Sequence, residues 1–217
     1  MTIPENLHKI KSKIPPKVKL IVVSKTQPVE SILEVYNANH KIFGENKVQE
    51  LVDKYEQLSK DIEWHLIGHL QTNKVKYIAP FVSLIHSVDS LKLLKEINKE
   101  AIKNNRVIDC LLQIHIAKEE TKFGLSFEEA ETILKSKELK NFKNINIVGL
   151  MGMATLSEDR EIIRKEFREL KNFFRNLQFT IYNLQFLSMG MSSDYGIAIE
   201  EGSTMVRVGS AIFGERK

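Results

Sequence analysis

The sequence predicts a single (β/α)8 barrel of the TIM type over residues 1–217, and three observations carry that expectation. Short β-rich runs alternate with longer amphipathic stretches eight times, the pattern of a parallel sheet with helices outside. Eight is also the number of strands that closes such a barrel. The first strand-to-helix turn, Ser24-Lys25-Thr26-Gln27-Pro28, holds no glycine, which counts against an open doubly wound sheet built on a glycine-rich first turn.

The elements follow in order. Lys19 to Ser24 reads as a buried strand, with a helix beginning near Val29. Ile42 to Gly44 is a second strand, before a helix from about Lys47 to Leu58. Trp64 to Ile67 is a third, followed by a basic helix around Asn73 to Tyr77. Ser83 to Ser87 and a helix from Ser90 to about Lys103 make the fourth pair; Cys110 to Ile116 and Ser126 to about Ser136 make the fifth. Asn146 to Met151 precedes a long helix from about Glu158 to Asn176. Gln185 to Ser188 precedes a short helix near Asp194 to Ile199, and Met205 to Val208 is the eighth strand.

Composition narrows the function classes. Hydrophobic residues make up 42% and charged residues 28%, an ordinary globular balance. The one cysteine, Cys110, rules out an internal disulfide and a Cys-cluster metal site, and its apolar neighbours make it a buried small hydrophobe. No run reaches membrane-spanning length, and Met1 to Asn6 lacks a signal-peptide core; a cytoplasmic protein without membrane contact is expected. The net charge of +4 comes from lysines and arginines interleaved with acids, as in Lys54-Tyr55-Glu56 and Arg164-Lys165-Glu166-Phe167-Arg168-Glu169. Such alternation marks solvated helix faces, so no nucleic-acid partner is expected. A small phosphate-bearing ligand suits the same balance.

In a barrel of this kind the site lies at the C-terminal ends of the strands. Strand one delivers Lys25 there. The plain reading is a lysine snorkelling to the rim; the sharper one is an amine whose surroundings lower its pKa for Schiff-base chemistry. Strand eight ends in Arg207-Val208-Gly209-Ser210, and strand seven in Ser188-Met189-Gly190-Met191-Ser192. Loops at these two strand ends often hold phosphate, through close backbone approach at glycine and exposed N–H groups. Arg207 then meets a cofactor ring nitrogen from inside the barrel. Glu45-Asn46, Gly68-His69 and His86-Ser87 read as pocket wall, and Trp64 and Met151 as core or lining. His65 and His69 straddle a strand–loop junction, so zinc ligation is not expected and no metal is assigned.

Successive blocks of the chain, Val23-Ser24-Lys25-Thr26, Phe43-Gly44-Glu45-Asn46, Trp64 to Gln71, Leu187 to Ser192, Thr204 to Gly209 and Ala211 to Gly214, resemble the YggS/PROSC type of pyridoxal phosphate homeostasis protein. The resemblance spans residues 20 to 216. It implies a barrel similar to the N-terminal domain of alanine racemase, with pyridoxal 5′-phosphate (PLP) as a Schiff base on Lys25. It further implies phosphate contacts from Ser192, Gly209 and Ser210, a ring-nitrogen contact from Arg207, and Asn46 beside the cofactor. Lys47 stands where an aromatic residue is common in that family and Gln27 where a lysine is common. The segment before strand one is short, so a curtailed N-terminal helix is expected.

The resemblance implies a protein of intracellular vitamin B6 homeostasis, without an established catalytic reaction. PLP-dependent apo-enzymes are the acceptors it would serve, and a monomer is expected. The alternative is a PLP-dependent amino-acid racemase, which needs a second acid/base opposite the first; in alanine racemase an extra C-terminal domain supplies it, and the chain leaves no room for one after Val208. A third class, a sugar-phosphate isomerase on a similar phosphate loop, predicts no chromophore on Lys25.

Overall fold

Eight parallel strands pair in sequence order, and the last returns to the first to close a barrel. In the computed structural model, which describes residues 1–119, 123–180 and 184–214, the strands are β1 Lys19–Val23, β2 Ile42–Glu45, β3 Glu63–Leu66, β4 Leu84–Val88, β5 Ile108–Ile114, β6 Ile145–Gly152, β7 Phe186–Ser188 and β8 Met205–Val208. The helices are α1 Ile3–Lys11, α2 Val29–Asn37, α3 Val48–Gln57, α4 Val75–Ile78, α5 Leu91–Lys103, α6 Phe127–Lys135, α7 Arg160–Thr180, α8 Tyr195–Glu200 and α9 Ser210–Phe213. The closing pair sets Ile21 beside Arg207 and Val22 beside Val208. Among the described residues no helix is long and apolar enough to cross a membrane.

Strand alternation divides the core in two. Leu20, Val22, Trp64, Leu66, Ile85, Leu187, Val206 and Val208 belong to the larger cluster, which they share with the buried residues of the helices. Their strand neighbours Ile21, Leu84, Leu111, Met151 and Met205 form a smaller cluster inside the barrel. Because successive side chains on a strand face opposite sides, Arg207 follows Met205 inward, His86 follows Leu84, and Ser188 follows Phe186. The inner face is thus apolar toward the strand starts and polar toward their C-terminal ends. Trp64 and Met151 are fully buried, as expected of core residues, and Cys110 is buried with its thiol pushed well above the usual range by burial.

Two expectations need correction. The fifth strand starts two residues earlier, because Ile108 and Asp109 pair with Ile145 and Asn146 and Asn146 Nδ2 donates to Asp109 Oδ1 at 3.0 Å. His115 and Ile116 leave it as the chain turns back to bridge Ile114 with Leu125. Helix α1 spans nine residues: Thr2 and Glu5 form its capping box, and Leu7 and Ile10 are buried. Asn6 Nδ2 donates to the Ile212 carbonyl, tying α1 to α9. Finally, the charge-alternating helices are not wholly solvated. Lys54 and Glu166 are both buried, and Glu166 accepts from the Thr155 amide and hydroxyl at 2.7 Å each. Alternation in sequence does not separate the faces of a helix, which turns about 100° per residue.

Candidate functional site

β1 ends at Val23 and hands Lys25 to the C-terminal mouth of the barrel, where it is half-buried. There it lines a cavity of about 540 Å³ together with Asn46, Ser192, Arg207, Gly209 and Ser210. The six strand-end residues singled out by sequence therefore share one wall system, drawn from the ends of β1, β2, β7 and β8. Ile67, Met153 and Met191 supply apolar walls between them. A volume of this size suits a small organic ligand held by a few convergent polar groups.

The turn that carries Lys25 is held from below. Thr26 adopts a left-handed φ of 63°, a conformation that costs free energy for a β-branched residue unless its surroundings impose it. They do so through Glu50 on α3, whose Oε1 accepts the Thr26 amide at 2.5 Å. Glu50 Oε1 also accepts from Lys54 Nζ at 2.7 Å, and Lys54 donates further to the Ser24 carbonyl and to Glu45 Oε1, each at 2.7 Å. Ser24 Oγ donates to the same Glu45 oxygen at 2.6 Å. Both residues flanking Lys25 are thus tied to one buried ionic cluster. Burial pushes the Glu45 carboxyl above the usual range, against the pull of Lys54 and Ser24, and Glu45 Oε2 has no hydrogen-bond partner among the described residues. Glu45 sits beneath the cavity, not on its wall.

Asn46 is placed by a close backbone crossing. A Cβ on Gly68 would lie 2.4 Å from the Asn46 carbonyl oxygen and 2.8 Å from its Cα, so only glycine lets the β3 loop pass here. Ser87 Oγ fixes that loop by donating to the Gly68 carbonyl at 2.5 Å.

On the opposite wall, Ser192 Oγ accepts from the Gly209 amide at 3.2 Å and the Ala211 amide at 3.5 Å. Two backbone donors therefore converge on one oxygen position beside Ser210. A Cβ on Gly209 would crowd the Val23 carbonyl at 3.0 Å, so the missing side chain lets the β8 turn lie against β1 and places these donors beside the strand that carries Lys25. Arg207 is buried below them, donating through Nη1 to Ser188 Oγ at 2.6 Å and through Nη2 to the Gly152 carbonyl at 3.0 Å. Burial brings its guanidinium down to about 10, offset in part by Asp194, so it stays charged at neutral pH.

Comparison with known proteins agrees with this geometry. Residues 2–217 match the family model of the alanine racemase N-terminal domain. A pyridoxal phosphate homeostasis protein of Aquifex aeolicus is 48% identical over 203 residues, covering 92% of this chain and 87% of the relative. The chain belongs to the pyridoxal phosphate homeostasis protein family. Within that family, the solved PipY protein of Synechococcus elongatus, crystallised with PLP bound, superposes with a TM-score of 0.91 at 36% identity, covering 98% of this chain and all of PipY. Alanine racemase of Clostridium difficile shares the fold at a TM-score of 0.80 and 16% identity, and this chain spans 60% of its length.

Two groups of residues lie outside the reach of the sequence reading. Glu50 and Lys54, the partners of Glu45, hide in the apparently solvated α3. His86, expected at the pocket wall, is fully buried in the barrel interior, where its Nε2 lies 3.0 Å from His65 Nδ1. His69 instead pairs with Asp89 at 3.2 Å and stacks on Phe123, so the two histidines four apart serve different places. The signal for His65 and His86 was their inward strand parity, shared with Leu84 and Met205.

Proposed function

We propose that this chain holds pyridoxal 5′-phosphate in the strand-end cavity as a Schiff base on Lys25, and serves intracellular vitamin B6 homeostasis without catalytic turnover. The observation that carries the reading is the convergence of Lys25, Asn46, Ser192, Arg207, Gly209 and Ser210 on one cavity of about 540 Å³. The donor set fits the cofactor: an amine for its aldehyde, backbone N–H groups and hydroxyls for its phosphate, and a cation for its ring nitrogen. The relatives' identity as pyridoxal phosphate homeostasis proteins and the PLP bound by PipY support the same assignment.

When bound, PLP supplies an electrophilic carbonyl and an aromatic ring that can delocalise negative charge. Lys25 anchors the aldehyde end, with its backbone fixed through Ser24 and Thr26. Gly209, Ala211, Ser192 and Ser210 orient the phosphate. The Arg207 guanidinium, charged and donor-only, disfavours a proton on the ring nitrogen and so weakens the ring as an electron sink. That favours holding the cofactor over reacting with it. A cytoplasmic monomer that passes PLP to apo-enzymes completes the proposal.

The test is to mix the purified protein with PLP, reduce with borohydride, digest, and locate the phosphopyridoxyl group by mass spectrometry. Label on Lys25, lost in Lys25→Ala, is the expected result. Label scattered over surface lysines would overturn the cofactor site. Unchanged free PLP in cells lacking the protein would overturn the homeostasis role.

A further inference from the structure

Behind Arg207 a line of buried polar side chains crosses the barrel interior. Arg207 Nη1 donates to Ser188 Oγ at 2.6 Å. Ser188 Oγ lies 3.1 Å from His86 Nδ1, and His86 Nε2 lies 3.0 Å from His65 Nδ1. The four residues come from β8, β7, β4 and β3, and none is more than 4% exposed.

Hydrogen-bond accounting gives this line a direction. A guanidinium only donates, while Ser188 has one proton and two lone pairs. Among the described residues its hydroxyl has two partners, Arg207 and His86. If His86 Nδ1 carried a proton, it too would donate to Ser188, and the buried serine hydroxyl would be left without an acceptor. Ser188 therefore donates to His86 Nδ1. His86 then carries its proton on Nε2 and donates to His65 Nδ1, which places the His65 proton on Nε2 as well. Both rings are neutral. Burial independently holds them so, lowering His65 to about 3 with help from Lys19, and lowering His86 well below the imidazole range with help from His65 and Arg207.

We infer that His65, His86 and Ser188 are positioning residues that fix the Arg207 guanidinium against the cofactor ring through a neutral acceptor, which leaves its positive charge uncompensated at that contact. The inference rests on the pyridoxal phosphate reading of the cavity. Ser188 and the Gly152 carbonyl accept from two of the five N–H groups of Arg207, and the residue also lines the cavity. Both acceptors are uncharged, and the carboxylate of Asp194 acts on the cation electrostatically. The relay thereby sets the protonation state of the cofactor ring from across the barrel.

The first test needs no cofactor. Long-range ¹⁵N–¹H spectra of the histidine side chains, recorded from pH 6 to 8 with the His40 ring assigned by its loss in His40→Asn, should show both His65 and His86 in the neutral Nε2–H form without titration. An Nδ1–H form or a titrating ring at either position overturns the relay. The second test compares Ser188→Ala, His86→Leu and His86→Gln for PLP affinity and for the ¹⁵N shift of ring-labelled PLP. Loss of the hydroxyl or the imidazole should weaken binding about tenfold and move the ring nitrogen toward its protonated shift. His86→Gln, which can accept and donate along the same line, should stay near wild type. A purely structural role would lower stability but leave the ring-nitrogen shift in place, and that result overturns the inference. If the variants do not fold, the wild-type histidine spectra decide. Wild-type protein that takes up no PLP defeats the cofactor reading itself; wild type that binds while Ser188→Ala matches it in affinity and shift defeats only the relay.

Discussion

Lys54 Nζ lies 2.7 Å from Glu45 Oε1, and both side chains are buried under the turn that presents Lys25. Removing one partner of a buried pair leaves an uncompensated charge, at a cost of about 3–5 kcal/mol. Lys54→Met strands Glu45 and Glu50 together and takes the Lys54 donor from the Ser24 carbonyl, leaving the Thr26 amide on a Glu50 carboxylate that has lost its own anchor. Urea unfolding should show a loss of about 3–5 kcal/mol, with recovery of part of it in the double variant Glu45→Leu, Lys54→Met. A loss below about 1 kcal/mol would mean that the cluster does not hold the turn.

The barrel is legible in sequence because its strands are short apolar runs between amphipathic stretches, and each run marks its own position. The site residues are legible for a related reason: a position directly after such a run is at the mouth, whatever the rest of the chain does. Lys25 and Gly209 need nothing more. Lys54 is different. Its burial depends on which side of α3 meets β2, and the charged neighbours Asp53 and Glu56 conceal that face. The partnership of His86 with Ser188, 102 residues apart, exists only because barrel closure brings β4 and β7 across a common interior.

Gly68 meets Asn46 backbone to backbone, so no flexible side chain can yield to an added methyl. Gly68→Ala should cost about 1–3 kcal/mol of stability, as overpacking does, and should displace Asn46 from the cavity. Weaker PLP binding in a variant that still folds is the expected outcome, read by absorbance titration and thermal melting. Unchanged affinity would show that Asn46 is a bystander to the cofactor.

Acid stability should reflect the buried imidazoles. Burial, with the charge of Lys11, lowers His40 to about 4 despite its bond to the Ile42 carbonyl, and burial lowers His65 to about 3. A ring whose pKa falls on folding contributes stability fully above its unfolded value near 6.5. Below that value the unfolded chain binds the proton that the folded chain refuses, so stability drains away as pH falls toward the folded pKa. Between pH 6.5 and about 4, each ring should cost about 1.4 kcal/mol per pH unit. His40→Asn should remove one ring's share of that slope in urea titrations at pH 7, 6, 5 and 4.5. An equal slope in wild type and variant would show that His40 takes up its proton without unfolding the chain.

Under the proposed function Ser192 serves the phosphate and no other part of the cofactor. Its Oγ sits where the Gly209 and Ala211 amides converge, away from the amine of Lys25 and the guanidinium of Arg207 by function if not by cavity. Ser192→Ala removes one hydroxyl donor to a charged group, a bond whose loss is worth about 1.5–3 kcal/mol, or roughly tenfold to a hundredfold in affinity. Pyridoxal lacks the phosphate and cannot use that bond. Titrating both compounds into wild type and Ser192→Ala should therefore show a large loss for PLP and nearly none for pyridoxal. Equal losses would place Ser192 in the general architecture of the cavity, and no loss for either would move the phosphate to Gly209 and Ser210 alone. Because the readout is a difference between two ligands in one variant, a uniform change in folding or in the Lys25 turn cancels from it.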